Sequence, residues 1–119
     1  MKHPSVTIIL PTYNETENII ELIVEIQRYA PAASPILVVD DNSPDGTAHR
    51  VRRFIKSQKA NNNVHLMVRT MNRGLTNSLI DGIAAAKSDV VLWMDCDFSH
   101  PPSLLPKLMH TIEIGADIA

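Results

Sequence analysis

The chain has 119 residues, 45% of them hydrophobic and 20% charged, with a formal net charge of −2. That length points to one domain, able to bury roughly two thirds of the surface its unfolded chain would expose. The near-neutral balance excludes the basic footprint of a nucleic-acid binder, and the single Cys96 excludes an intrachain disulfide and fits a reducing, cytoplasmic setting. Apolar runs of about five residues fall far short of the ~20 that span a bilayer. Met1–Pro4 leads into a strand rather than a signal-peptide core, so any membrane association is expected to be peripheral.

In chain order, short apolar runs alternate with amphipathic segments. "VTIIL" (Val6–Leu10) is β-branched and halted by Pro11; "ILVVD" (Ile36–Asp40), "VHLMV" (Val64–Val68) and "VVLWM" (Val90–Met94) read the same way. Near-continuous apolar strands suit a parallel sheet covered on both faces. Asn14 followed by Glu17 resembles a capping box, and Ile19, Leu22, Ile23, Ile26 and Ala30 then share a helical face. Ser43-Pro44 reads as an N-cap with proline at the first helical position, ahead of Ala48, Val51, Phe54, Ile55 and Gln58. Leu75, Leu79, Ile83 and Ala86 predict a third helix; Leu104, Leu105, Leu108, Met109 and Ile112 predict a fourth that ends near Gly115. "GADIA" looks like the approach to a fifth strand. The expected fold is therefore an α/β, Rossmann-like three-layer sandwich with a parallel sheet in the order 3-2-1-4 and right-handed crossovers.

Sheets of this kind bind ligands at the carboxyl ends of their strands, beside the point where strand order reverses. Three polar loops meet there: Pro11–Glu15, Asp40–Gly46 and Asp95–His100, with six carboxylates between them. Asp95 and Asp97, two apart on an extended segment, project to one side. Two readings stay open for them: loop carboxylates in water, or ligands of a hard cation such as Mg²⁺ or Mn²⁺ shared with substrate phosphates. Asp40 and Asp41 end a strand, where a carboxylate accepts from a ribose hydroxyl or a base N–H, or builds a turn. Neither G-x-G-x-x-G nor G-x-x-x-x-G-K-[ST] occurs, which argues against NAD and P-loop sites. Tyr13 is a stacking surface or an edge cover. "RTMNRGL" (Arg69–Leu75) supplies two arginines and Gly74 at a helix start, either a phosphate or sugar contact or a plain surface loop. The second helix carries Arg50, Arg52, Arg53 and Lys56, with Lys59 just beyond; this face is solvated, or weakly attracted to anionic headgroups.

"VTIILPTYNETENI", "ILVVDDNSPDGT", "RGLTNSLIDGI" and "VLWMDCDFSHPPSLLPKL" together resemble the polyprenol-phosphate glycosyltransferases, the dolichyl-phosphate mannosyltransferase group in particular. These are inverting family-2 enzymes of GT-A fold. The resemblance implies GDP-mannose as donor, a polyprenyl (dolichyl) phosphate at a membrane surface as acceptor, and Mg²⁺ or Mn²⁺ as cofactor. It further implies that Pro11, Tyr13 and Glu15 form the first nucleotide-contacting loop, and that Val39 and Asp41 contact the guanine-ribose part. Asp95, Cys96 and Asp97 would occupy the Asp-X-Asp motif. Asp95 and Asp97 are then the catalytic and metal residues, with Ser99 near the metal. Cys96 replaces the commoner alanine. Related family-2 enzymes use UDP-sugars or other acceptors, and these alternatives stay open. Family domains run to roughly twice this length, so the chain is expected to represent a truncated, donor-binding part. Such a part would bind donor with little turnover and would self-associate through its sheet edge.

Overall fold

Among the described residues four short strands form one parallel sheet, and three of the four helices pack on the same face of it. The computed structural model describes residues 5–31, 33–58, 63–97 and 101–113. In chain order these form β1 (Val6–Thr12), α1 (Ile19–Tyr29), β2 (Ile36–Asp40), α2 (Thr47–Ser57), β3 (Val64–Val68), α3 (Leu75–Ala85), β4 (Val90–Trp93), a 3₁₀ turn (Pro102–Leu104) and α4 (Leu105–Glu113). The strand order is β3-β2-β1-β4, as the alternation of segments suggests. Ile8 lies opposite Ile36, Val38 opposite Leu66, and Ile9 opposite Trp93. From β1 the chain winds outward through α1 and α2, then crosses back over α3 to reach β4 on the other side of β1. A right-handed crossover in the reversed direction must place its helix on the opposite face. That reversal opens a crevice at the carboxyl ends of β1 and β4. Among the described residues no helix is long and apolar enough to cross a membrane.

The main core lies between one sheet face (Ile8, Leu10, Val38) and α1, α2 and α4, which contribute Leu22, Ile26, Val51 and Leu105. The second face carries a smaller cluster of Ile9, Leu37 and Val39, with Leu79 of α3 packed against it. Here the structure corrects the helical periodicity. Leu75 and Ile83 are exposed, and the buried residues of α3 are Ser78 and Gly82. The reason is close approach: a Cβ on Gly82 would stand 3.0 Å from Ile9 Cγ2 and 3.3 Å from Val39 Cγ2. The helix therefore rests on its smallest residues with Leu79 beside them, while Leu75, Ile80 and Ile83 turn away from the sheet.

Several boundaries shift for identifiable reasons. Pro11 lies within β1 rather than ending it. Ile8 donates its N–H toward β2, to Pro35 O, while the Ile9 carbonyl accepts from Met94 on the β4 side. Alternation turns the Pro11 nitrogen toward β4, which has ended at Trp93 opposite Ile9, so no ladder bond is lost. α1 begins at Ile19 with Asn18 at the cap position, because Asn14 adopts a left-handed backbone (φ 58°) in the loop before it. α2 begins at Thr47 after Gly46 (φ 87°), not at Ser43-Pro44. β4 ends at Trp93, one residue short of Met94, and is only half-buried as an edge strand. A 3₁₀ turn takes up Leu104 before α4, which runs to Glu113. The Ile112 side chain, Gly115 and "GADIA" lie outside the described residues, as does Lys59.

The Gly82 contact yields a test. Gly82→Ala is expected to be close to neutral, because the ~1 kcal/mol gain in helix propensity offsets mild crowding. Gly82→Val is expected to destabilise by about 1–3 kcal/mol through overpacking against Ile9 and Val39. Chemical unfolding of both variants measures this, and equal stability of the two would contradict the close approach.

Candidate functional site

The rim is built by one loop holding another. β2 ends in Asp40, whose carboxylate is fully buried. It accepts from Thr12 Oγ1 at 2.7 Å, Ser43 N at 2.9 Å and Ser43 Oγ at 2.6 Å. Asp40 thus folds its own loop, the turn-forming option for the pair Asp40-Asp41. Side chains of that loop then take the backbone N–H groups of the first loop. Ser43 Oγ accepts from Asn14 N (2.9 Å), Thr47 Oγ1 from Glu15 N (3.1 Å) and Asp45 Oδ2 from Thr16 N (3.1 Å). Arg50 closes the seam by donating to the Thr16 carbonyl. Ser43, Asp45 and Thr47 consequently serve less as helix caps than as the mould for Tyr13–Thr16. Their partners lie about thirty residues away in sequence, so no local pattern announces them.

Glu15 stands on this moulded loop facing the β4 end. Burial raises its carboxyl above the ordinary 4.5; a hydrogen bond with Asn18 opposes this, and the charges of Asp97, Asp45 and Asp95 push it further up. Glu15, Asp95 and Asp97 therefore share one electrostatic neighbourhood, as the rim topology predicts. The chain turns at Cys96-Asp97. Cys96 points into the main core, with its Sγ 3.7 Å from the Pro11 carbonyl, while Asp97 is exposed. Burial first, then the charges of Glu15, Asp95 and Asp97, pushes the Cys96 thiol up to about 12, so it is a packed, protonated side chain with little tendency to oxidise. Ser99 and His100 lie outside the described residues.

Asp41 belongs to a different cluster. It is buried, and accepts from Arg69 Nη1 (2.8 Å), Ser78 Oγ (2.9 Å) and Gly74 N (2.7 Å). Burial alone would raise its carboxyl, but the bonds from Gly74, Ser78 and Arg69 outweigh it and hold Asp41 below the ordinary 3.8. Arg69 also pairs with Asp81, Nε to Oδ2 at 2.7 Å. Val39 is fully buried beneath α3, and its side chain packs rather than faces the crevice. Pro11 is half-buried at the end of β1. Tyr13 is half-exposed, with the Arg73 guanidinium 5.1 Å from its ring centroid, a cation–π contact that joins the first loop to the β3–α3 loop. Of the two arginines in "RTMNRGL", Arg69 is thus internal and Arg73 lies at the surface.

Among the described residues no group of three or more His, Cys, Asp or Glu side chains is arranged to hold a metal on its own. The donor set fits a hard cation in the other manner, in which one or two carboxylates share the ion with substrate phosphates. The Glu15 carboxyl is raised first by burial, and the further push from Asp97, Asp45 and Asp95 is the part a cation would relieve.

A singly reversed parallel sheet with an acidic rim at its switch point is the architecture of nucleotide-binding α/β proteins. Residues 7–119 match glycosyl transferase family 2, and the chain belongs to that family. It is 40% identical over 115 residues to a dolichol-phosphate mannosyltransferase of Pyrococcus furiosus, covering 96% of this chain and 32% of that protein. It is 36% identical over 115 residues to the polyprenol monophosphomannose synthase of Mycolicibacterium smegmatis, covering 94% and 42%. Among solved structures, it is similar to the mannosyltransferase PcManGT of Pyrobaculum calidifontis in complex with GDP-Man and Mn²⁺. That match has a TM-score of 0.74 and 32% identity, covering 82% of this chain and 28% of that one. The chain thus spans between about a third and two fifths of the curated relatives' length.

The two kinds of carboxylate have opposite linkage to pH. Asp41 and Asp45 are both held below 3.8, so the stability they contribute is present above that value and lost as pH falls through their folded values. Glu15 is raised above 4.5; its ionisation opposes folding and costs stability as pH rises through its folded value. Glu15→Gln is therefore expected to stabilise the metal-free chain at pH 7 and to lose that advantage near pH 4. Asp45→Ala should destabilise at pH 7 by about 0.5–2 kcal/mol, the range for loss of a capping side chain. Unfolding curves in chelator at both pH values measure this, and an equal effect of Glu15→Gln at pH 4 and pH 7 would contradict the assignment.

Proposed function

We propose that this chain forms the donor side of an inverting, divalent-metal-dependent glycosyltransferase that moves mannose from GDP-mannose to a polyprenyl (dolichyl) phosphate. The observation that carries the reading is the shared acidic neighbourhood of Glu15, Asp95 and Asp97 at the β1–β4 switch point. Names of relatives at 36–40% identity support the sugar and the lipid. The Pyrobaculum complex supports GDP-mannose and Mn²⁺.

In this reading Asp97 and Asp95 hold Mg²⁺ or Mn²⁺ against the donor diphosphate, with Ser99 a further candidate ligand. The bound cation would neutralise the diphosphate leaving group. Tyr13 and Pro11 flank the nucleoside, Asp41 accepts from the base or ribose, and the Val39 side chain supports β2 from below. Cys96 anchors the Asp-X-Asp turn to the core, which fixes the two flanking carboxylates outward. The acceptor phosphate is already anionic at neutral pH and needs no strong base. Its oxygen bonds to the anomeric carbon as the bond to the diphosphate breaks, inverting that centre. Positioning of the lipid requires a membrane surface and contacts beyond this chain's donor loops. The β4 edge, unpaired among the described residues, with Trp93 half-exposed, supports self-association; light scattering that shows a monomer at all concentrations would remove that element.

Calorimetry tests the donor assignment. GDP-mannose is expected to bind in a Mn²⁺-dependent manner, and GDP more tightly than UDP. Asp97→Asn should weaken the metal-dependent part about 10–100-fold, the range seen when support of a metal site is lost. Unchanged metal-dependent affinity in Asp97→Asn would sink the metal assignment, and tighter UDP than GDP would move the donor to the UDP-sugar class.

A further inference from the structure

We propose that Arg69 is the positioning residue for nucleoside recognition: it locks the Asp41 carboxylate and the β3–α3 loop together so that one acceptor direction of Asp41 is left for the ligand. The inference rests on the reading of Asp41 given above and goes beyond it, because Arg69 itself has no donor left for a substrate. A guanidinium carries five N–H groups in a rigid fork. Nε donates to Asp81 Oδ2 at 2.7 Å. Nη1 donates to Asp41 Oδ1 at 2.8 Å and to Ser78 Oγ at 3.3 Å. Nη2 donates to the carbonyls of Met71 at 3.3 Å and Asn72 at 2.8 Å. All five are engaged within the chain, so Arg69 orders the site without touching the donor.

The Asp41 side of the clamp is as closely specified. Its two oxygens offer about four lone-pair directions. Oδ1 takes Arg69 Nη1 and the Ser78 hydroxyl, and Oδ2 takes the Gly74 N–H. By that count one direction on Oδ2 is not taken up among the described residues. The Gly74 N–H reaches Asp41 from a loop in which Asn72 (φ 52°) and Gly74 (φ 133°) both have positive φ. That loop is held by the two carbonyls that Arg69 engages. The Asp41 backbone is fixed as well, its N–H donating to Thr12 O at 3.1 Å. Rotation of the carboxylate would break three bonds together, so its remaining acceptor direction is fixed before any ligand arrives. A lysine presents its donors from a single point and cannot span two carboxylates and two carbonyls.

The test is a double-mutant cycle read by calorimetry with GDP and UDP in the presence of Mn²⁺, each variant first checked for a cooperative thermal transition above the assay temperature. Asp41→Asn alone is expected to weaken GDP about tenfold, the worth of a hydrogen bond to a charged group. Arg69→Lys should weaken GDP by a similar factor and reduce the preference for GDP over UDP. Combined with Asp41→Asn, Arg69→Lys should add nothing further. Arg69→Met extends the series where it folds; Arg69→Lys carries the test where it does not. If Asp41→Asn weakens GDP and Arg69→Lys does not, the positioning role of Arg69 is overturned while Asp41 stands. Equal weakening of GDP and UDP by Arg69→Lys would reduce Arg69 to a structural residue and overturn the inference too. If Asp41→Asn leaves GDP unaffected, the reading of Asp41 fails and the inference with it.

Discussion

Carboxylate repulsion at one end of a parallel sheet is the constraint around which this molecule is arranged. Six acidic side chains sit on three loops that the strand order brings to one rim, and Asp40, Asp41 and Asp45 are placed where the fold supplies each with several donors. Asp40 takes hydroxyls and an N–H from Thr12 and Ser43. Asp45 takes N–H groups from Thr16 and Thr47, and Asp41 takes Arg69, Ser78 and Gly74. These three charges are used as mortar. Beside Glu15, burial first and then the charges of Asp97, Asp45 and Asp95 raise its carboxyl, and burial followed by Glu15, Asp95 and Asp97 raises the Cys96 thiol.

Much of the fold was legible because its signals are local. Four apolar runs separated by helical periodicity define a parallel α/β sheet, and short connections leave few strand orders to choose from. What was illegible depended on depth of approach. Leu75 and Ile83 have helical spacing, yet α3 descends onto the sheet through Gly82 and turns them outward. Periodicity shows that a helix has an apolar side; it does not show that a glycine lets a neighbouring face come closer. Pro11 misled in a related way, since a proline ends a strand only where its missing N–H faces a partner. Here it faces the place where β4 has already ended.

The meeting of the rim loops was legible for the same reason. That Glu15 and the Asp-X-Asp turn share a neighbourhood follows from topology, because loops at strand carboxyl ends beside a switch point must meet. Asp41, placed on the same rim, belongs to another network, since its partners come from residues 28 to 37 positions away, after β3 and on α3. Arg69 follows β3 in a polar stretch that reads equally as a surface loop. Only the packing of α3 on the sheet brings Ser78 and Asp81 to it. The serines and threonines of the second loop likewise read as helix caps until their acceptors and donors are traced to the first.

This division of charges connects stability to recognition. The side of the rim built by Asp40, Asp41 and Asp45 is tied into the chain's own hydrogen bonds and is rigid with no ligand present, which lowers the ordering cost of binding a nucleoside there. On the other side Glu15 faces the like charges of Asp97, Asp45 and Asp95 above the main core. A cation bound on that side would favour the ionised form of Glu15 and lower its carboxyl. It would also stabilise the native state by mass action, by about 2.7 kcal/mol at a hundredfold excess over its dissociation constant. A rim that spread its carboxylates evenly would be more stable when empty and would have less with which to hold a metal–diphosphate. The arrangement seen here ties the rim together where nucleoside recognition is proposed and concentrates negative charge where phosphate chemistry is proposed.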